Sequence, residues 1–167
     1  AKKHKIKNTL SFDMGGTTAK ICLIKNQKPK TSRVFEVARS YRFKKGSGMP
    51  ISIPVIDMIE IGAGGGSIAH VDDLQQIRVG PHSAGSKPGP ACYDLGGTSP
   101  TVTDADLLLG KLSEDFFAGG SMTLNKSKAL RALQYHIGDK LKITSEIAAH
   151  GVSEVVDENM ANAARVH

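Results

Sequence analysis

The sequence predicts an α/β fold, a mixed sheet that opens on a glycine-rich hairpin and gives way to helices in its last third. Two short β-rich runs, residues 10–13 and 19–24, flank "MGGTT" within "SFDMGGTTAKICLI". Eighteen glycines and seven prolines, against five Phe, three Tyr and no Trp, imply many tight turns packed by small aliphatic side chains. Beyond residue 100, apolar residues recur at helical spacing behind capping signals.

Taken in order, the opening reads as strand, glycine turn, strand. Residues 33–43, "RVFEVARSYRF", alternate as a further strand, and an exposed "KKGSG" loop follows. In "ISIPVIDMIEIGAGGGSIAHVD" a buried-type strand runs into Gly62, Gly64, Gly65 and Gly66, and a second strand leaves them. So little side-chain bulk implies that something comes close to this backbone. After it, "HVDDLQQIRVG" has a turn-like acid pair and an alternating run. Residues 80–100, "GPHSAGSKPGPACYDLGGTSP", form a structured loop longer than a passive connection requires. Thr103 and Asp106 then have capping-box spacing before "LLLGKL". Asn125 caps a helix with Leu130, Leu133 and Ile137 on one stripe, and Gly138 is placed to end it. Thr144 or Ser145 starts a last helix, with Ile147, Gly151, Val155 and Met160 roughly at helical spacing.

At 167 residues and 40% hydrophobic content the chain can build one ordinary core, read here as a basic arm over residues 1–9 and a domain over residues 10–167. The net charge of +6 is concentrated in "AKKHKIK" and residues 25–45 and is not read as a basic stripe interleaved with aromatics, so no nucleic-acid partner is expected. No apolar run approaches the roughly 20 residues of a membrane span. Cys22 and Cys92 lack CxxC spacing, which points away from a zinc ribbon or disulfide scaffold and toward a reducing, cytoplasmic setting.

Chemistry concentrates in the glycine motifs. In "DMGGTT", glycines let successive N–H groups converge on an anion, Thr17 and Thr18 add hydroxyl donors, and Asp13 can hold a magnesium ion through water. The competing reading is a plain turn in which Gly15 and Gly16 take positive φ. There is no GxxxxGK[ST] P-loop. Gly64, Gly66 and Ala69 fit G-x-G-x-x-A, yet no long helix follows to receive a pyrophosphate. Asp57 and Glu60 fall on opposite faces of a strand, and Asp57 is the candidate general base or metal ligand, against an edge acid that caps nearby N–H groups. Asp104 and Asp106 can be read as a carboxylate pair, and placement at a helix N-terminus, which is favoured, explains them as well. The histidines show no HxH or HExxH spacing, Cys92 has no evident basic partner, and Ser67, Ser83 and Ser86 lack G-x-S-x-G.

Four stretches in order, "SFDMGGTTAKICLI", "PVIDMIEIGAGGGSIAHVD", "RVGPHSAGSKPGPACYDLGGTSPTVTDADLLLG" and "DFFAGG", resemble the hydantoinase A and 5-oxoprolinase (N-methylhydantoinase A) family over nearly the whole chain. That resemblance implies an actin-like, sugar-kinase-like ATPase fold in which two α/β halves close over ATP. It implies that "DMGGTT" opens the second half, with Asp13, Gly15, Gly16, Thr17 and Thr18 as phosphate and magnesium contacts. Gly64, Gly65, Gly66 and Ser67 would let the backbone approach the cofactor or the other half of the enzyme, and Asp13 and Asp57 are the catalytic candidates. The family's first half and its adenosine-binding segment are not among these residues, so the chain reads as an internal fragment, inactive alone. Many relatives continue the hairpin with Thr-Asp, where this chain has Ala19 and Lys20, so a role for an acid at position 20 is not carried over. The implied activity is ATP- and Mg2+-dependent opening of a cyclic amide such as hydantoin or 5-oxoproline, with a hydantoinase B-type partner. Alternatives are a subunit of an acetone- or acetophenone-type carboxylase, or a nucleotide-binding scaffold without chemistry.

Overall fold

The structure, a computed structural model, describes residues 1–38, 40 and 46–165. The chain divides into two compact units, the first made of Ala1–Asp13 and Lys20–Glu60, the second of Met14–Ala19 and the residues from Ile61 onward.

The regular structure described in the first unit is all β, and three of its strands run on into the second unit at Met14, Ala19 and Ile61. β1 (Thr9–Met14) pairs with β2 (Ala19–Lys25), which also pairs with β3 (Lys28–Pro29) and β8 (Met58–Ile61). Asn26 and Gln27, with φ of 50° and 62°, make the tight turn into β3, in the mirror-image geometry that suits the twist of a hairpin. Two small antiparallel ladders continue the unit, β4 (Thr31–Ser32) with β7 (Val55–Ile56) and β5 (Phe35–Val37) with β6 (Met49–Ile51). The basic arm folds back on itself, Ile6 N–H donating to the Ala1 carbonyl, and Gln27 N–H donates to the Lys7 carbonyl.

Two expectations change here. The strand expected over residues 33–43 is only three residues long, because Ala38 takes a φ of 51° and leaves the extended region; residues 39 and 41–45 lie outside the described residues. Of the "KKGSG" loop, Gly46 is exposed while Ser47 and Gly48 are half-buried. The buried-type strand before the glycines is three pieces, β6, β7 and β8, and Ile51, Ile53, Ile56 and Met58 are 37% to 47% exposed. Pro54 interrupts the run because it has no N–H to give a ladder, and two-stranded ladders leave their faces open.

The second unit holds the core. β9 (Ser67–Val71) and β10 (Ile77–Ser83) form an antiparallel hairpin with Arg78 opposite His70. Asp72 closes its turn, accepting from Leu74 N–H, Gln76 N–H and the Arg78 guanidinium, and these bonds hold its carboxyl below the usual range. Helices follow: α1 (Val102–Leu108), α2 (Lys126–Leu133), a π-helical turn over Gln134–Gly138, α3 (Asp139–Leu141) and α4 (Ser145–Arg165). Val102, Leu107, Leu133, Ile137 and Val152 are fully buried among them.

The helical third corrects three details. α1 is capped by Thr101 with Asp104, a complete capping box lying two residues before the expected pair of Thr103 and Asp106. Gly138 does not end the second helix: the chain widens into the π turn, and Lys142, at φ 58°, is the left-handed stop. Leu130 and Ile147 face solvent, and the buried stripe of α4 is Ala148, Val152, Val156, Met160 and Ala163. At Gly151 α4 lies tight on β10, where a Cβ would sit 2.5 Å from Ile77 Cδ1. Among the described residues no helix is long and apolar enough to cross a membrane.

α1 and α4 also share a polar contact. Lys111 Nζ donates to Ser153 Oγ at 2.7 Å and lies 3.3 Å from Asp106 Oδ1. Burial pushes the Asp106 carboxyl above its ordinary value of 3.8, with Lys111 opposing. An acid whose folded pKa is raised keeps its proton longer in the fold, so the stability it contributes is present below pH 3.8 and lost as pH rises through the raised value. Asp106→Asn is therefore expected to melt at or above the wild-type temperature at pH 7, with the gap closing toward pH 3. Thermal unfolding across that range checks it, and a lower melting point at pH 7 would show that the Lys111 pairing outweighs burial.

Candidate functional site

The turn between β1 and β2 is closed by one bond, Gly15 N–H to the Thr18 carbonyl at 2.8 Å. Ala19, fully buried, anchors it, while Gly15, Gly16, Thr17 and Lys20 are exposed and Thr18 is half-buried. Neither Gly15 nor Gly16 takes a left-handed φ, so the plain-turn reading that rested on positive φ does not account for them. Packing does not account for them either. A Cβ on Gly16 would meet nothing within 4 Å, and one on Gly15 only the Thr18 carbonyl at an ordinary 3.5 Å. The N–H groups of Gly16 and Thr17 have no acceptor among the described residues.

Against this turn lies the second glycine cluster, and there the reason for glycine is internal. Gly65 N–H donates to the Gly15 carbonyl at 3.0 Å and Gly66 N–H to the Gly16 carbonyl at 2.6 Å. A Cβ on Gly64 would sit 2.5 Å from the Gly15 carbonyl oxygen and 2.8 Å from both Gly16 C and Thr17 N. One on Gly66 would sit 2.9 Å from the Gly16 carbonyl oxygen and from Ser83 Oγ. What comes close to this backbone is the hairpin turn. Ser67, buried, closes the segment on itself: its Oγ accepts from Gly64 N–H at 3.0 Å, and its N–H donates to the Gly64 carbonyl.

Behind the cluster stands the start of α1. Thr103 N–H and Thr103 Oγ1 both donate to the Gly65 carbonyl, at 2.8 and 2.9 Å. Next to it the buried Asp104 carboxylate accepts from Cys92 N–H at 2.7 Å, from Thr101 N–H and Thr101 Oγ1 at 2.8 Å, and from Ala91 N–H at 3.3 Å. Neither Thr103 nor Asp104 entered the candidate set from sequence, because in "TVTDAD" both Thr101 with Asp104 and Thr103 with Asp106 have box spacing. Burial first, and then the Asp104 charge, push the Cys92 thiol far up, so this cysteine stays a buried thiol.

The two candidate acids lie in the first unit. Asp13 is exposed on β1 and, with Ser11, Lys20, Cys22 and Met58, lines a cavity of about 450 Å³. Asp57 is engaged twice with Lys30, its carboxylate 2.8 Å from Nζ and its N–H donating to the Lys30 carbonyl. No group of three or more His, Cys, Asp or Glu side chains is placed to hold a metal ion among the described residues. A single exposed carboxylate fits the way magnesium binds, hydrated and shared with phosphates, and does not fit a cage made by protein alone.

The sequence model of the hydantoinase/oxoprolinase family matches residues 1–166. The chain belongs to that family. This hydantoinase/oxoprolinase chain is 43% identical over 165 residues to the acetophenone carboxylase gamma subunit of Aromatoleum aromaticum, a match covering 98% of the chain and 21% of that relative. It superposes on the crystal structure of the ATP-dependent caprolactamase from Pseudomonas jessenii with a TM-score of 0.78 and 40% identity, covering all of the chain and 23% of the enzyme. On nucleotide-free acetone carboxylase the TM-score is again 0.78, at 28% identity, over 96% of the chain and 22% of that protein. The family resemblance carried by the four motifs is thus borne out, as is the α/β class, whose antiparallel sheets and C-terminal helices are consistent with an actin-like ATPase fold. The chain spans between a fifth and a quarter of the length of these relatives.

Proposed function

We propose that the Gly15–Thr18 turn holds the phosphates of ATP, and that the chain works as one segment of a longer ATP-dependent enzyme that opens a cyclic amide. The observation that carries this is the unexplained pair Gly15 and Gly16. Neither φ nor any neighbour among the described residues requires glycine there, which supports a ligand as the partner that excludes a side chain. The N–H groups of Gly16 and Thr17 and the hydroxyls of Thr17 and Thr18 supply donors for an anion. Asp13, two residues before Gly15 in sequence, is the candidate to hold hydrated Mg2+. ATP, when bound, supplies the phosphoryl group that makes a resonance-stabilised amide carbonyl electrophilic. Gly64, Gly65, Gly66 and Ser67 serve the cofactor by holding the turn, since the three glycine amides are already donated to Ser67, Gly15 and Gly16. To act as a base, Asp57 would first have to leave the Lys30 ammonium.

Likeness to an enzyme named an ATP-dependent caprolactamase supports the cyclic-amide reading. The 43% identity to a carboxylase subunit favours a second one, activation of a ketone for carboxylation by the same phosphoryl transfer. Relatives named as subunits support a partner chain, for which a B-type subunit is the candidate, and two free cysteines suit a reducing cytoplasm.

Gly16→Val and Asp13→Asn in the full-length enzyme test the reading. Gly16→Val points into open space, so its melting temperature should stay that of the wild type while ATP-dependent turnover falls about 100-fold, the scale of losing preorganised donors. Turnover with hydantoin or 5-oxoproline, against a ketone with bicarbonate, separates the two activities. Wild-type turnover in both variants would sink the phosphate assignment.

A further inference from the structure

We infer that Thr103 is a positioning residue for the phosphate turn, acting through the Gly65 peptide; this rests on the phosphate reading above. Gly65 faces two ways. Its N–H is given to the Gly15 carbonyl at 3.0 Å, and its carbonyl receives both the N–H and the hydroxyl of Thr103, at 2.8 and 2.9 Å. Those two donors occupy both lone pairs of the carbonyl and fix the direction of the peptide. Thr103 Oγ1 also fills the space where a Gly65 side chain would lie, 2.7 Å from the ideal Cβ position.

Thr103 is itself held firmly. It is buried at the first turn of α1, between the Thr101 cap and an Asp104 carboxylate that accepts four hydrogen bonds. Rigidity at the α1 terminus passes through one peptide to a turn that has a single closing bond of its own. A site whose donors must meet a transferring group to a fraction of an ångström needs such support behind it, because about one ångström of misplacement can cost 100-fold in rate. The hydroxyl therefore bears on the chemical step more than on nucleotide affinity.

The test uses the full-length enzyme with Thr103→Val, Thr103→Ser and a pair of Gly65 variants. Valine keeps the shape and the N–H bond but loses the hydroxyl. It should lower kcat for ATP-dependent turnover about tenfold, with KM for ATP changed by less than about threefold, and serine should restore kcat to within about twofold. Amide hydrogen exchange, read by mass spectrometry on the peptide spanning residues 61–67, should speed up about tenfold at Gly65 and Gly66 in the valine variant and not in the serine one. Gly65→Ala should be far more damaging beside Thr103 than in a Thr103→Ala background, where the atom it would strike is gone. Unchanged exchange in Thr103→Val overturns the inference whatever the nucleotide does, as does an equal effect of Gly65→Ala in both backgrounds. Faster exchange with unaltered turnover upholds the link from Thr103 to the turn and overturns the phosphate reading instead. Should the valine variant fail to fold, the serine variant and the Gly65 pair still decide the matter.

Discussion

Gly64→Ala is expected to destabilise the protein by about 3 kcal/mol, the upper end of what overpacking usually costs. The added methyl would meet backbone on every side that matters, the Gly15 carbonyl oxygen at 2.5 Å and Gly16 C and Thr17 N at 2.8 Å. No rotamer change relieves such a clash, because none of the three atoms belongs to a side chain. The turn must move away, and moving it breaks the bonds from Gly65 and Gly66 that seat it. Urea unfolding followed by circular dichroism measures the loss, with Gly16→Ala as the control that should unfold like the wild type. If Gly64→Ala also unfolds like the wild type, the turn is not seated on the second glycine cluster.

Asp104→Ala is expected to cost about 4 kcal/mol. The fully buried carboxylate satisfies Cys92 N–H, Ala91 N–H and both donors of Thr101. Each buried donor left without an acceptor costs about 1–3 kcal/mol, and hydrogen bonds to a charged group are the stronger kind. Losing the group unties residues 91–92 from α1 and removes the capping box together. The same denaturant titration reads it. A loss below about 1 kcal/mol would mean that water takes over the four bonds, and that the network does not hold the helix start.

Thr103, behind Gly65, shows why legibility in sequence differed between the two glycine motifs. In "DMGGTT" the residues proposed to meet a ligand are consecutive, so one short string carries the whole proposed donor set, and a strand on each side is enough to expose it. In "IGAGGGS" the glycines announce a close approach without naming the neighbour. That neighbour is the turn some fifty positions earlier, with Thr103 and Ser83 on other sides, and none of these contacts has a local signal. Lys30 opposite Asp57 was hidden in the same way, because each lies between two short strands that no periodicity marks.

Local chemistry determined what local chemistry can: the hairpin, the β9–β10 turn at Asp72, the Asn125 cap, the helical last third, and a family membership written in four ordered motifs. Its errors lay where two local solutions compete, as with Thr101 and Thr103 as the cap of α1, or where a helix face is chosen by what it packs on, as with Ala148 over Ile147 on α4. Tertiary structure alone decided which glycines the chain itself requires. At Gly64, Gly65 and Gly66 the space is filled by the chain's own atoms; at Gly16 it is empty. The distinction depends on contacts between segments distant in sequence, and it is what turns a string of glycines into a turn seated on a second string.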